Sequence, residues 1–121
     1  MKKILIADDE EIIRKTVERS LAGQPFELIY AFDGVEALKK AGQEKPDLIL
    51  LDIQMPHKDG RQVIQALRQA VETKSIPVIM LTALGDTLDK IAGFELGADD
   101  YITKPFDPKV LLRRIQTILQ R

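Results

Sequence analysis

Three features of the chain predict an α/β domain built on a parallel, doubly wound sheet. Short apolar runs alternate with amphipathic stretches five times along the 121 residues, the trace that parallel strands with crossover helices leave in a sequence. The middle run, Leu48–Ile49–Leu50–Leu51, is apolar without a break, as a strand covered on both faces must be. It leads straight into Asp52, so a carboxylate is delivered at a strand's C-terminal end, where open α/β sheets place their ligand sites.

The elements follow in order. Ile4–Leu5–Ile6–Ala7 is the first strand and ends on Asp8–Asp9–Glu10–Glu11. Ile13, Val17 and Leu21 recur at helical spacing until Gly23 and Pro25 stop them. Phe26–Ala31 is a second, weaker strand. Asp33–Gly34 turns the chain into a helix with Val35, Leu38 and Ala41 as its apolar face. After the central strand and the loop from Pro56, Gly60 opens a third helix whose core face is Val63, Ile64, Leu67 and Val71. Pro77–Leu81 is a fourth strand ending on Thr82. Leu88, Ile91 and Leu96 mark a fourth helix closed by Gly97. Tyr101–Ile102–Thr103 is a short fifth strand running into Lys104–Pro105. In the last helix Asp107 is the N-cap and Pro108 the first residue, with Leu111, Leu112, Ile115, Ile118 and Leu119 apolar.

Composition narrows the function. One domain spanning 1–121 fits the length. Hydrophobic residues make up 45%, charged residues 31%, and the net charge is -1. That balance lacks the basic excess of a nucleic-acid surface. Cysteine is absent, which excludes disulfides and thiolate metal sites and agrees with a reducing compartment. No apolar segment approaches the roughly 18 residues of a membrane span, and nothing reads as a signal peptide. A cytoplasmic location is expected.

In a parallel sheet all strand C-termini share one edge. That edge receives Asp8 and Asp9 from the first strand, Asp52 from the third, Thr82 from the fourth and Lys104 from the fifth. Three close carboxylates repel, so such a cluster holds a cation or keeps a proton. An all-oxygen donor set selects a hard ion, and Mg²⁺ fits best because it keeps waters that a phosphate can replace. Thr82 and Lys104 suit the oxygens of a phosphoryl group. A carboxylate can itself attack phosphorus to give an aspartyl phosphate. Catalysis would then come from positioning and charge neutralisation.

On these residues the chain resembles the receiver domains of two-component response regulators. The matching motifs are Ile6–Ala7–Asp8–Asp9–Glu10, Leu51–Asp52–Ile53–Gln54–Met55–Pro56 with Asp59–Gly60, Leu81–Thr82–Ala83, and Gly97 through Phe106. They cover the whole chain and are specific in combination. The resemblance implies a five-stranded parallel sheet in the order 2-1-3-4-5, a flavodoxin-like three-layer sandwich. It implies Asp52 as phosphoacceptor for a histidine kinase, with Mg²⁺ held by the Asp9 and Asp52 side chains and the Gln54 backbone carbonyl, and Asp8 acting through water. It also implies that Lys104 contacts the phosphoryl group, that Thr82 and Tyr101 switch with phosphorylation, and that the Lys104–Pro105 bond is cis. Gln54 and Leu84 take the two positions that tune access of the attacking water. Apolar Leu84 positions no water, which points to slow autodephosphorylation.

Simpler readings compete at some positions. Glu10 and Glu11 read as solvated residues at a helix N-terminus, and His57 as an exposed loop residue without a ligand role. Met55–Pro56 and Asp59–Gly60 double as turn chemistry. The resemblance places signalling contacts on the fourth helix, fifth strand and fifth helix, with a phosphorylation-dependent dimer as one outcome. Lys90, Asp100, Arg114 and Arg121 match that charged face, whereas Val110 stands where an acidic partner for Lys90 is expected; an ordinary solvated face is the competing reading. Three other functions stand beside the switch. One is the receiver part of a DNA-binding transcriptional regulator. Another is a Mg²⁺-dependent phosphatase of the haloacid-dehalogenase type, disfavoured by Gln54 at its acid-base position. The last is a non-phosphorylated binding module.

Overall fold

The computed structural model describes residues 1–55, 57, 59–83 and 97–121. Five parallel strands, β1 (Lys2–Ala7), β2 (Phe26–Ala31), β3 (Leu48–Asp52), β4 (Val78–Ala83) and β5 (Asp100–Lys104), form one sheet. Their order is β2-β1-β3-β4-β5, as the resemblance implies. From β1 the chain moves outward to β2 and then returns past β1 to β3. The switch point therefore lies between β1 and β3, which pair from Ile4↔Leu48 to Ala7↔Leu51.

The alternating side chains of the inner strands build two cores. Ile4, Ile6, Leu48 and Leu50 face α1 (Glu11–Ser20) and the C-terminal helix (Pro108–Gln120), meeting Val17, Leu111 and Ile115. Leu5, Ala7, Ile49 and Leu51 face α2 (Gly34–Glu44) and α3 (Gly60–Gln69), meeting Ala37, Ala41, Val63, Ile64 and Leu67. Every residue of β3 is buried, and each such aliphatic side chain contributes about 1.5–3 kcal/mol relative to exposure. Burial on both faces thus fixes the strand that carries Asp52.

Caps mark where three helices begin. The Asp33 carboxylate accepts from the Glu36 N–H, Asp107 accepts from the Lys109 N–H, and Asp59 with Gln62 forms a reciprocal capping box. Arg68 on α3 is a tie that the sequence reading does not contain. Its guanidinium donates to the carbonyls of Lys74, Ile76 and Gly97 and to the Asp99 carboxylate, fastening α3 to the approaches of β4 and β5. Burial lowers its pKa against the pull of Asp99.

Two expectations need correction. Val35 is exposed, and Ala37 takes its place on the buried face of α2. Val71 lies beyond the end of α3 and is 79% exposed; its helical spacing continues a pattern that the backbone has already left. Glu10 is the exposed N-cap residue of α1, as expected, and its side chain makes no capping hydrogen bond. The fourth helix expected around Leu88, Ile91 and Leu96 falls outside the described residues.

Candidate functional site

The sheet delivers the acidic residues to one cleft. Asp8 follows β1 and is fully buried, Asp52 ends β3 with 5% of its surface exposed, and Asp9 and Glu10 lie exposed at the mouth. One carboxylate oxygen from each of Asp8, Asp9, Glu10 and Asp52 lies within 4.8 Å of the others. Lys104, paired through Ala83 at the end of β5, places its Nζ 3.0 Å from Asp8 Oδ2, 3.1 Å from Asp52 Oδ1 and 3.4 Å from Glu10 Oε1. The cleft measures about 470 Å³, and Asp9, Glu10, Asp52, Gln54 and Lys104 supply its polar lining.

The electrostatics follow from burial. Asp52 is raised from the ordinary carboxylate value of 3.8 to about 6, first because burial disfavours its charge and second because Asp8 lies beside it. Asp8 is raised as well, again chiefly by burial, against the Glu10 N–H and the Lys104 ammonium. Burial works against the Lys104 charge, but Asp8 and Asp52 outweigh it and its pKa goes up. Negative charge therefore exceeds positive in the cleft, and the site has an appetite for a cation.

Among the described residues, two buried polar atoms lack hydrogen bonds. Asp8 Oδ2 touches the Lys104 ammonium as an ion contact without a directed hydrogen bond, and Thr82 Oγ1 at the end of β4 has no hydrogen-bond partner. Buried polar groups are normally satisfied. An all-oxygen set with a spare carboxylate oxygen and an idle hydroxyl fits a hard divalent ion together with an oxygen-rich ligand.

Most of the expected site residues meet here: Asp8, Asp9, Asp52, Gln54 and Lys104, while Thr82 is fully buried one residue before the end of β4. The Lys104–Pro105 peptide is cis. Tyr101 is 7% exposed and packs in the core facing α2 and α3, which places its ring inward. Leu84 and Lys90 fall outside the described residues. His57 has a largely exposed side chain, 3.9 Å from the Asp33 carboxylate. Glu10 is the residue that sequence reasoning missed; the available signal was its position directly after the Asp8–Asp9 pair at a strand end.

Gly60 holds the acceptor's backbone in place. A Cβ there would lie 2.5 Å from the Asp52 carbonyl oxygen and 2.7 Å from Ile53 Cα, while the Gly60 N–H donates to the Ile53 carbonyl at 2.6 Å. The first turn of α3 thus rests directly on the end of β3. Gly60→Ala is expected to lower stability by about 1–3 kcal/mol through overpacking, and to slow any chemistry at Asp52 at least tenfold. Urea unfolding beside a rate measurement on the folded variant checks both.

With this geometry in view, known proteins fall into place. The family model for the response regulator receiver domain matches residues 4–116. The chain belongs to that family. The receiver is 49% identical over 120 residues to the alkaline phosphatase synthesis transcriptional regulatory protein PhoP of Bacillus subtilis, covering 99% of this chain and 49% of that protein. It is 46% identical to the DNA-binding dual master transcriptional regulator RpaA of Synechocystis, covering 100% of this chain and 50% of that one. The receiver thus spans about half the length of these curated relatives. Among solved structures, the chemotaxis response regulator CheY4 of Vibrio cholerae superposes with a TM-score of 0.90 at 36% identity, covering 98% of each chain. The Francisella response regulator 1452 receiver domain does so with a TM-score of 0.90 at 36% identity, over 100% of this chain and 98% of that one. The receiver is a signalling domain of two-component systems, and no helix among its described residues is long and apolar enough to cross a membrane.

Proposed function

We propose that the receiver, acting as one domain over 1–121, accepts a phosphoryl group on Asp52 from a histidine kinase and signals by changing its protein contacts. The observation that carries this reading is the Lys104 ammonium set between the buried Asp8 and Asp52 carboxylates in an acidic cleft. Mg²⁺ is the ion that the donor set suits, held by the Asp9 and Asp52 side chains and the Gln54 carbonyl, with Asp8 through water. When bound, the ion supplies positive charge that offsets the carboxylates and draws charge from phosphoryl oxygens. The chain's own residues do the rest. Asp52 attacks phosphorus, Lys104 steadies the transferred oxygens, and Thr82 turns its idle hydroxyl toward them. Tyr101 fills the space behind Thr82, next to the Pro105 turn. Gln54 and Leu84 tune how fast water removes the group, and apolar Leu84 favours a long-lived phosphate. The domain promotes only its own phosphorylation and dephosphorylation, and it works in the cytoplasm.

Partner contacts are assigned to β5, the C-terminal helix and the predicted helix before β5. Charged pairs lie along this face, Arg114 with Asp100 at 2.8 Å and Arg121 with Asp99 at 2.5 Å. They support a downstream protein, an output domain or a phosphorylation-dependent dimer as occupant. A second reading, the receiver part of a DNA-binding regulator, is favoured by the length of the transcriptional relatives; DNA contact would then belong to the other part.

Incubation with acetyl phosphate tests the proposal. One phosphoryl group per chain is expected with Mg²⁺ and none with a chelator. Release of many equivalents of phosphate from esters would instead mark a phosphatase, and no label under any condition would mark a binding module.

A further inference from the structure

We propose that Glu10 is a specificity-determining carboxylate that discriminates among phosphodonors by charge, slowing doubly negative small donors relative to less negative ones. The inference rests on the phosphoacceptor reading and goes beyond it. Four observations place Glu10 in this role. It occupies the N-cap position of α1, yet its side chain does no capping. Instead its carboxylate lies with those of Asp8, Asp9 and Asp52 and 3.4 Å from the Lys104 ammonium. It lines the cleft, and with 56% of its side chain exposed it stands at the mouth rather than the floor. Behind it the fully buried Asp8 Oδ2 meets the same Lys104 ammonium at 3.0 Å, so Glu10 shares that cation with a carboxylate set deeper in the cleft.

Glu10 lines the same cleft as Asp52, so an incoming donor approaches Asp52 within the field of the Glu10 carboxylate. That carboxylate repels a donor in proportion to the donor's charge and occupies part of the ammonium that would otherwise attract it. Acetyl phosphate is a dianion at neutral pH, and phosphoramidate carries one negative charge fewer. In both reactions a new bond joins phosphorus to an Asp52 carboxylate oxygen as the bond to the leaving group breaks. The electron pair departs with acetate in the first case and with ammonia in the second. The chemistry at Asp52 is shared, so the ratio of the two rates reports the charge filter.

The experiment follows label on the full chain by intact mass at saturating Mg²⁺, with each donor, for wild type, Glu10→Gln and Glu11→Gln. Glu11 is the control: it makes the same charge change but pairs with Lys15 on α1, away from the cleft. The ratio of acetyl phosphate rate to phosphoramidate rate is expected to rise roughly threefold in Glu10→Gln. It should stay unchanged in Glu11→Gln, and the gain should shrink as salt is added. Melting temperatures recorded in parallel confirm that both variants fold. An unchanged ratio in Glu10→Gln, or an equal rise in Glu11→Gln, would overturn the charge filter while leaving the acceptor assignment standing. No label on wild type from either donor would overturn both.

Discussion

Lys104→Ala is expected to slow phosphorylation of the receiver roughly 100-fold while tightening Mg²⁺ binding. The two effects have opposite signs because they draw on one charge. Among the described residues Lys104 is the one cation in ion contact with the cluster, touching Asp8, Asp52 and Glu10. Removing it takes away a preorganised positive group from the transferring oxygens, a loss that typically costs 10²–10³ in rate. The same deletion leaves the carboxylates uncompensated, so a divalent ion finds a stronger field. Calorimetric Mg²⁺ titration beside phosphorylation kinetics separates this outcome from simple misfolding, which would weaken both.

Asp52→Asn is expected to stabilise the ion-free receiver at neutral pH by about 2–3 kcal/mol. Folding lifts the Asp52 pKa from 3.8 to about 6 through burial and the neighbouring Asp8. Below 3.8 the carboxyl is protonated in both folded and unfolded chains and costs nothing. Between 3.8 and 6 the folded chain binds more protons, so its stability falls as pH rises. Above 6 the full penalty of a buried charge is present. The asparagine carries no such penalty, so the variant's advantage should appear above pH 4, grow to about pH 6 and then level off. Asp8, shifted in the same direction, remains in both proteins. Urea unfolding at a series of pH values in chelator checks the curve, and saturating Mg²⁺ should shrink the gap by binding wild type better. A variant less stable than wild type at pH 7 would contradict the assigned burial cost.

The sheet was legible because its core strands carry unmistakable patterns: Leu48 to Leu51 reads as a doubly covered strand, and it is one. Asp107 was legible as a cap, and Asp33–Gly34 as a helix start, because local chemistry alone decides them. Val35 and Val71 misled for a common reason. Helical spacing shows that a residue could face the core, but not where the helix ends or which small residue packs closest. Ala37, with its short side chain, lets α2 approach the sheet, and periodicity gives no weight to size. Arg68 was not foreseeable, since its acceptors are mostly backbone carbonyls, which carry no sequence signal, brought together with the distant Asp99 only by the fold. At the site, strand-end logic located Asp8, Asp52, Thr82 and Lys104, because parallel topology sends all strand ends to one edge. It placed Glu10 among solvated cap residues, because the choice between capping and facing the cleft is made by a side-chain rotamer.

The assignment of Asp52 as acceptor is tested most directly by intact mass after treatment with acetyl phosphate and Mg²⁺, wild type beside Asp52→Asn. One added phosphoryl group on wild type and none on the variant is the predicted result. Equal labelling of both would place the chemistry on another residue and contradict the account.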